Sequence, residues 1–115
     1  MEKVACFVFR DEEMCFIHVL LYALDSIALG KTFHLVFEGR ATRLVPLLAA
    51  EDHPLHELYT KVKTQGGVAG ACRACSAKMG VLQEVVKEGI PLLDDMSGHP
   101  SIRRFAEAGY TVLFL

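Results

Sequence analysis

Two cysteines three residues apart, Cys72 and Cys75 in the stretch GVAGACRACSAKMG, are the residues of this chain best suited to chemistry. Such a pair has three chemical uses. A structural zinc clip needs four ligands and usually draws them from two such pairs. Here the other cysteines, Cys6 and Cys15, lie far upstream, and the five histidines (His18, His34, His53, His56, His99) show no ligand spacing. The zinc reading is therefore weak, and no metal or cofactor is expected. A redox pair uses the second thiol to resolve a mixed disulfide formed by the first. A nucleophilic thiol with a bystander uses Cys72 alone. The bland alternative is that both are small hydrophobes packing a helix start.

The position of Cys72 favours the nucleophile. A short, small-residue strand, about 67–71, ends just before it, and one or two helical turns, 73–79, follow. In open α/β sheets chemistry collects at the carboxyl ends of strands. The partial positive charge of a helix N-terminus, with Arg73 adjacent and Lys78 a turn further on, favours a thiolate, so a lowered pKa is expected. Gly66, Gly67, Gly70 and Ala71 would let a substrate or partner approach the sulfur closely. Four other residues bear on this crevice. Cys15, near the start of the first helix, is expected to be buried. Glu38, at the end of the second strand, is expected to pair with Arg40 or Arg43, because a carboxylate beside Cys72 would raise its pKa. Ser97 and His99, in the loop after the fourth strand, are expected to lead into the helix opened by Pro100 rather than to act. Cys6, in mid-strand, reads as core, and His18 as a surface or interface residue.

The elements that must hold these residues alternate along the chain. Val4–Phe9 reads as a central strand covered on both faces. Asp11 can cap a helix running to about Leu29 and closed by Gly30. That helix is polar along one stripe (Asp11, His18, Asp25) and apolar elsewhere, which calls for burial on two sides. Phe33–Phe37 is a second strand, and a helix follows from about Thr42, with Pro46 near its first turn. Leu55, Leu58, Tyr59 and Val62 mark an amphipathic helix with Pro54 at its first position. After the cysteines come a helix over 81–88 closed by Gly89, a fourth strand over 90–93, and a helix from Pro100 to about Ala108 with Ile102, Phe105 and Ala106 inward. Thr111–Leu115 is a terminal strand. Five strands alternating with helices specify an α/β sheet, mostly parallel, in a single domain over residues 1–115.

Bulk properties narrow the functional classes. A net charge of −2 without a basic block gives nucleic acid no electrostatic footprint. The longest uncharged run, Met14–Leu24, is too short to span a bilayer, so no membrane role is expected. The N-terminus has no signal-peptide layout, and a cytoplasmic location, with reduced thiols, is expected. A composition that is 52% hydrophobic is high for a domain of 115 residues and points to surface hidden against other copies.

ACRACSAKMG, with a cysteine ending the third strand and Gly80 eight positions later, resembles the motif of the DsrE/DsrF-like family, which includes YchN-like proteins and the sulfur-relay subunit TusD. The C-x-x-C form is similar to the YchN-like branch. The resemblance extends over the whole chain: an N-terminal strand, a long apolar helix, a strand ending in FEG (Phe37–Gly39) and a closing apolar strand. It implies a three-layer α/β/α domain with a parallel five-stranded sheet, assembled into trimers or hexamers. It also implies that Cys72 accepts sulfane sulfur from a donor protein as a persulfide and passes it to an acceptor protein's cysteine. Cys75 matches only the two-cysteine branch, where it would release the sulfur by forming a disulfide with Cys72 or stand as a protected neighbour. A thiol–disulfide redox protein using Cys72 and Cys75 and a non-catalytic oligomeric binding module are the alternatives.

Overall fold

The computed structural model describes residues 2–115. It contains β1 (Lys3–Val8), α1 (Glu13–Ala28), β2 (Thr32–Phe37), a 3-10 turn (Gly39–Arg43), α2 (Leu44–Leu48) and α3 (His56–Thr64). There follow β3 (Val68–Cys72), α4 (Arg73–Lys78), α5 (Leu82–Lys87), β4 (Leu92–Leu93), α6 (Ile102–Glu107) and β5 (Thr111–Phe114). The five strands form one sheet in the order β4-β3-β2-β1-β5, with every neighbouring pair parallel. The fold is thus a parallel α/β sheet with helices on both sides.

The order explains the two helical layers. From β1 to β4 the chain steps in one direction, and right-handed crossovers then place the intervening helices on one face. The return from β4 to β5, on the far side of β1, reverses the direction and puts α6 on the other face. The strand residues divide accordingly. Cys6 and Val8 of β1 join Leu35 and Phe37 of β2 in the larger core, against Phe16, Val19 and Leu20 of α1, Val45 and Leu48 of α2 and Val62 of α3. Ala5, Phe7 and Val36 point the opposite way, to Phe105 of α6 and Leu93 of β4. This is the two-residue alternation of a strand buried on both faces.

The helix boundaries depart from expectation in four places. Glu12, in extended conformation and without a side-chain cap, occupies the N-cap of α1. Asp11 is one residue too early to cap and instead faces Arg43 at 4.0 Å. Pro54 stands outside α3, which begins at His56 after a turn in which the Leu55 N–H donates to His53 Nδ1 at 3.0 Å. In α6 only Phe105 is buried, while Ile102 and Ala106 are exposed, because a six-residue helix on a thinly covered face shows the sheet one side chain per turn. Finally, α1 buries one stripe, Phe16, Val19, Leu20 and Ala23, and leaves Met14, Leu21 and Tyr22 exposed. Within the chain it is covered on one side only.

The small residues around β3 serve packing. A side chain at Gly70 would meet the Pro91 carbonyl oxygen at 2.6 Å and Leu93 at 2.7 Å, and one at Gly67 would meet Val62 at 2.6 Å. These glycines let β4 and α3 close on β3. They do not open a path to the sulfur.

Candidate functional site

Three segments converge at the carboxyl edge of the sheet. Glu38 follows β2, Cys72 ends β3, Cys75 lies in the first turn of α4, and His99 lies between β4 and α6. One ligating atom from each of the four lies within 4.8 Å of all the others. The Cys72 sulfur is 3.1 Å from His99 Nδ1 and accepts the Cys75 backbone N–H at 3.3 Å. The Cys75 sulfur lies 3.8 Å from His99 Nδ1 and 3.8 Å from Glu38 Oε1.

Local bonds hold each participant. The Ser76 hydroxyl donates to the Cys72 carbonyl at 2.7 Å, which fixes the start of α4. His99 sits on a tight turn: Met96 N–H donates to the His99 carbonyl at 2.7 Å and His99 N–H returns a bond to the Met96 carbonyl at 2.9 Å. The two residues between them, Ser97 and Gly98, both have positive φ, +51° and +89°. That is the signature of a two-residue type I′ turn, and a Ser-Gly dipeptide tolerates it because only one position carries a side chain. The Gly98 carbonyl in turn accepts the Ala74 N–H at 2.9 Å, tying the turn to α4. His99 is therefore no helix-entry residue. Nor does Glu38 pair with an arginine: Arg43 faces Asp11, and Arg40 is exposed.

Burial dominates the electrostatics. Cys72 has no exposed surface and Glu38 is 7% exposed. The Cys72 thiol is pushed well above its ordinary range, first by burial, then by the neighbouring Cys75 thiol and Glu38 carboxylate, with the Cys75 N–H opposing. Glu38 is also pushed up, by burial first, while Cys72, His99 and Cys75 pull it back. The expected lowered thiol pKa is thus reversed. A helix terminus is worth about 0.3–1 kcal/mol, whereas burying a charge shifts a pKa by up to about 3–5 units, several kcal/mol. Arg73 does not help, because it turns outward to Asp94 at 3.9 Å.

The cluster opens on one side. A concave pocket of about 340 Å³ is lined by Phe7, Phe9, Glu38, Cys75, His99 and Phe114 among others. Cys75 and His99 face it and Cys72 stands behind them.

No family model matches the chain. The uncharacterized protein MJ0733 of Methanocaldococcus jannaschii is 32% identical over 98 residues, covering 85% of this chain and 78% of that protein. The chain belongs to the MJ0733 family. An uncharacterized protein of Archaeoglobus fulgidus is 42% identical over 58 residues, 50% of this chain and 93% of its own. Among solved structures, BT1422 of Bacteroides thetaiotaomicron, a conserved protein of unknown function, superposes with a TM-score of 0.74 at 18% identity, over 99% of this chain and 95% of that one. That likeness establishes the shared fold.

Of the residues singled out by sequence in this MJ0733-family chain, the structure brings together Cys72, Cys75, Glu38 and His99, and separates the rest. Cys6 is in the core, its thiol pushed up to about 11 by burial. Cys15 is exposed rather than buried and lines a different pocket, with Arg10, His18 and Tyr22. His18 is on the surface, its Nδ1 2.9 Å from the Met14 carbonyl. The role of His99 was signalled in sequence only by the Ser-Gly dipeptide before it, a turn signal. For Glu38 no local signal exists.

Proposed function

We propose that this chain is a sulfur-relay protein of the DsrE/DsrF-like kind, which accepts sulfane sulfur as a persulfide on Cys72 and passes it to a partner thiol. The observation that carries the reading is the 3.1 Å approach of the Cys72 sulfur to His99 Nδ1. A thiol kept protonated by burial needs an adjacent base to become a nucleophile, and an imidazole at hydrogen-bond distance is that base. His99 takes the Cys72 proton. The thiolate attacks the outer sulfur of a donor persulfide, the donor's S–S bond breaks, and its electron pair leaves on the donor thiolate, which recovers a proton. A new S–S bond stands on Cys72, with the Cys75 N–H directed at Cys72 Sγ. An acceptor thiolate then takes the outer sulfur in the same way, and no net oxidation occurs.

The donor reaches Cys72 through the pocket, past Cys75 and His99, so sulfur uptake accompanies displacement of one of these side chains. The exposed outer face of α1 and the β5 edge, with Met14, Tyr22, Leu113 and Phe114, support assembly with further copies into trimers or hexamers. Reduced cytoplasmic surroundings suit the free thiols. No helix among the described residues is long and apolar enough to cross a membrane.

A second reading, a reversible Cys72–Cys75 disulfide, is favoured by the two sulfurs lying within 4.8 Å of each other. Intact mass of the reduced protein after exposure to a persulfide donor separates the two. The relay predicts a gain of one sulfur that reductant removes, lost in Cys72→Ser and kept in Cys75→Ser. A loss of two hydrogens, abolished by either substitution, makes the pair a redox couple. A sulfinic acid, nearly equal in mass to an added sulfur, would not revert.

A further inference from the structure

The buried cluster contains more negative potential than its surroundings balance. Glu38, almost wholly enclosed, faces the Cys75 sulfur, and among the described residues no lysine or arginine lies within ion-pair distance of it. A buried carboxylate is ordinarily paired with a cation or coordinates one. The atoms around it are two sulfurs, one imidazole nitrogen and one carboxylate oxygen, which is the ligand chemistry of a four-coordinate zinc site. Their spacing fits as well. Zinc bonds of about 2.0–2.3 Å put tetrahedral ligands about 3.3–3.8 Å apart. Cys72 to His99 is 3.1 Å, Cys75 to His99 is 3.8 Å and Cys75 to Glu38 is 3.8 Å. All remaining separations are within 4.8 Å.

We propose that Cys72, Cys75, His99 and Glu38 form a tetrahedral site for a borderline-soft divalent cation, zinc, closed over both thiols. The scaffold suits that role. Cys72 and Cys75 give the two-residue spacing common in zinc clips, at the start of a helix whose first turn is fixed by Ser76. The Cys75 N–H already directed at Cys72 Sγ is the kind of outer bond that orients a metal-bound thiolate. The type I′ turn holds His99 with Nδ1 turned to both sulfurs. Binding exchanges the two thiol protons, released to solvent, for the metal, and no electron moves.

This inference goes beyond the persulfide reading and stands apart from it, though the two meet at the same sulfurs. Zinc would occupy both thiols, so a loaded chain would take up no sulfur until the metal is withdrawn.

The test is titration of reduced, metal-free protein with Zn²⁺ against a chromophoric chelator, and with Co²⁺ as a spectroscopic probe. The site predicts one Zn²⁺ per chain and a tetrahedral, thiolate-ligated Co²⁺ spectrum. Cys75→Ser should weaken Zn²⁺ binding at least about a hundredfold, and Glu38→Gln, nearly isosteric and checked for folding by circular dichroism, about tenfold or more. Cys15→Ser should change nothing. Absence of Zn²⁺ binding, an octahedral Co²⁺ spectrum, or affinity unaltered in both Cys75→Ser and Glu38→Gln would overturn the proposal. Sulfur uptake is measured separately on the metal-free chain. Uptake without Zn²⁺ binding defeats this inference alone, and Zn²⁺ binding without uptake defeats the persulfide reading alone.

Discussion

Cys15 and Cys72 occupy comparable places, each just past the carboxyl end of a parallel strand and at the start of a helix, yet their surroundings are opposite. Cys15, after β1, is exposed and borders an apolar hollow of about 460 Å³ with Arg10, His18, Tyr22, Phe114 and Leu115. Its thiol has no hydrogen-bond partner among the described residues. Cys72, after β3, is wholly enclosed, with His99, the Cys75 N–H and Glu38 around it. The difference comes from position in the sheet. β1 is adjacent to the edge strand β5, whose residues Leu113 and Phe114 are half exposed, and nothing covers the hollow between that edge and α1. β3 lies between two strands, with loops folding over its end from both sides. A cysteine's chemistry therefore depends less on its place relative to strand and helix than on which loops the topology sends over it.

The sharpest way to break that comparison is to rank the thiols by alkylation of the native protein, read by peptide mass spectrometry. Cys15 should react first and Cys75 next. Cys72 and Cys6 should react about a thousandfold more slowly than Cys15, and only through opening of the structure. Cys72 reacting as fast as Cys15 would remove the distinction. The same contrast runs through α1 and its neighbours. Phe16, 1% exposed and stacked on Phe37 at 5.7 Å, fills the core behind Cys15, whereas Phe114 is 54% exposed. In chemical denaturation, Phe16→Ala should cost about 3–5 kcal/mol. Phe114→Ala, losing little buried area, should cost less than about 1 kcal/mol in the monomer. A larger loss at Phe114 would mean that the hollow is covered by another copy.

Much of the fold was legible because its periodicities are strong. The apolar runs at Val4, Phe33 and Thr111 and the glycines closing the helices marked five strands, and parallel pairing followed from alternation. Cys72 at a strand end was legible for the same reason. Strand order was not. Nothing local says that β5 returns to the side of β1, and hence nothing says that Cys15 is left open or that α6 has only Phe105 to bury. The site was half legible. Glu38 and His99 are far apart in sequence from each other and from the cysteines, and they meet only because β2, β3 and β4 are successive neighbours in the sheet. The direction of the Cys72 shift was misjudged for a related reason: enclosure by distant loops outweighs a six-residue helix, and sequence displays the helix but not the enclosure.

The account rests on His99 acting as the base for Cys72. The most direct measurement is the rate at which reduced, metal-free protein acquires sulfur from a persulfide donor, compared with His99→Asn. The account predicts about a hundredfold slower uptake in the variant, with the same final gain of one sulfur on Cys72. Uptake at the native rate in His99→Asn would contradict it.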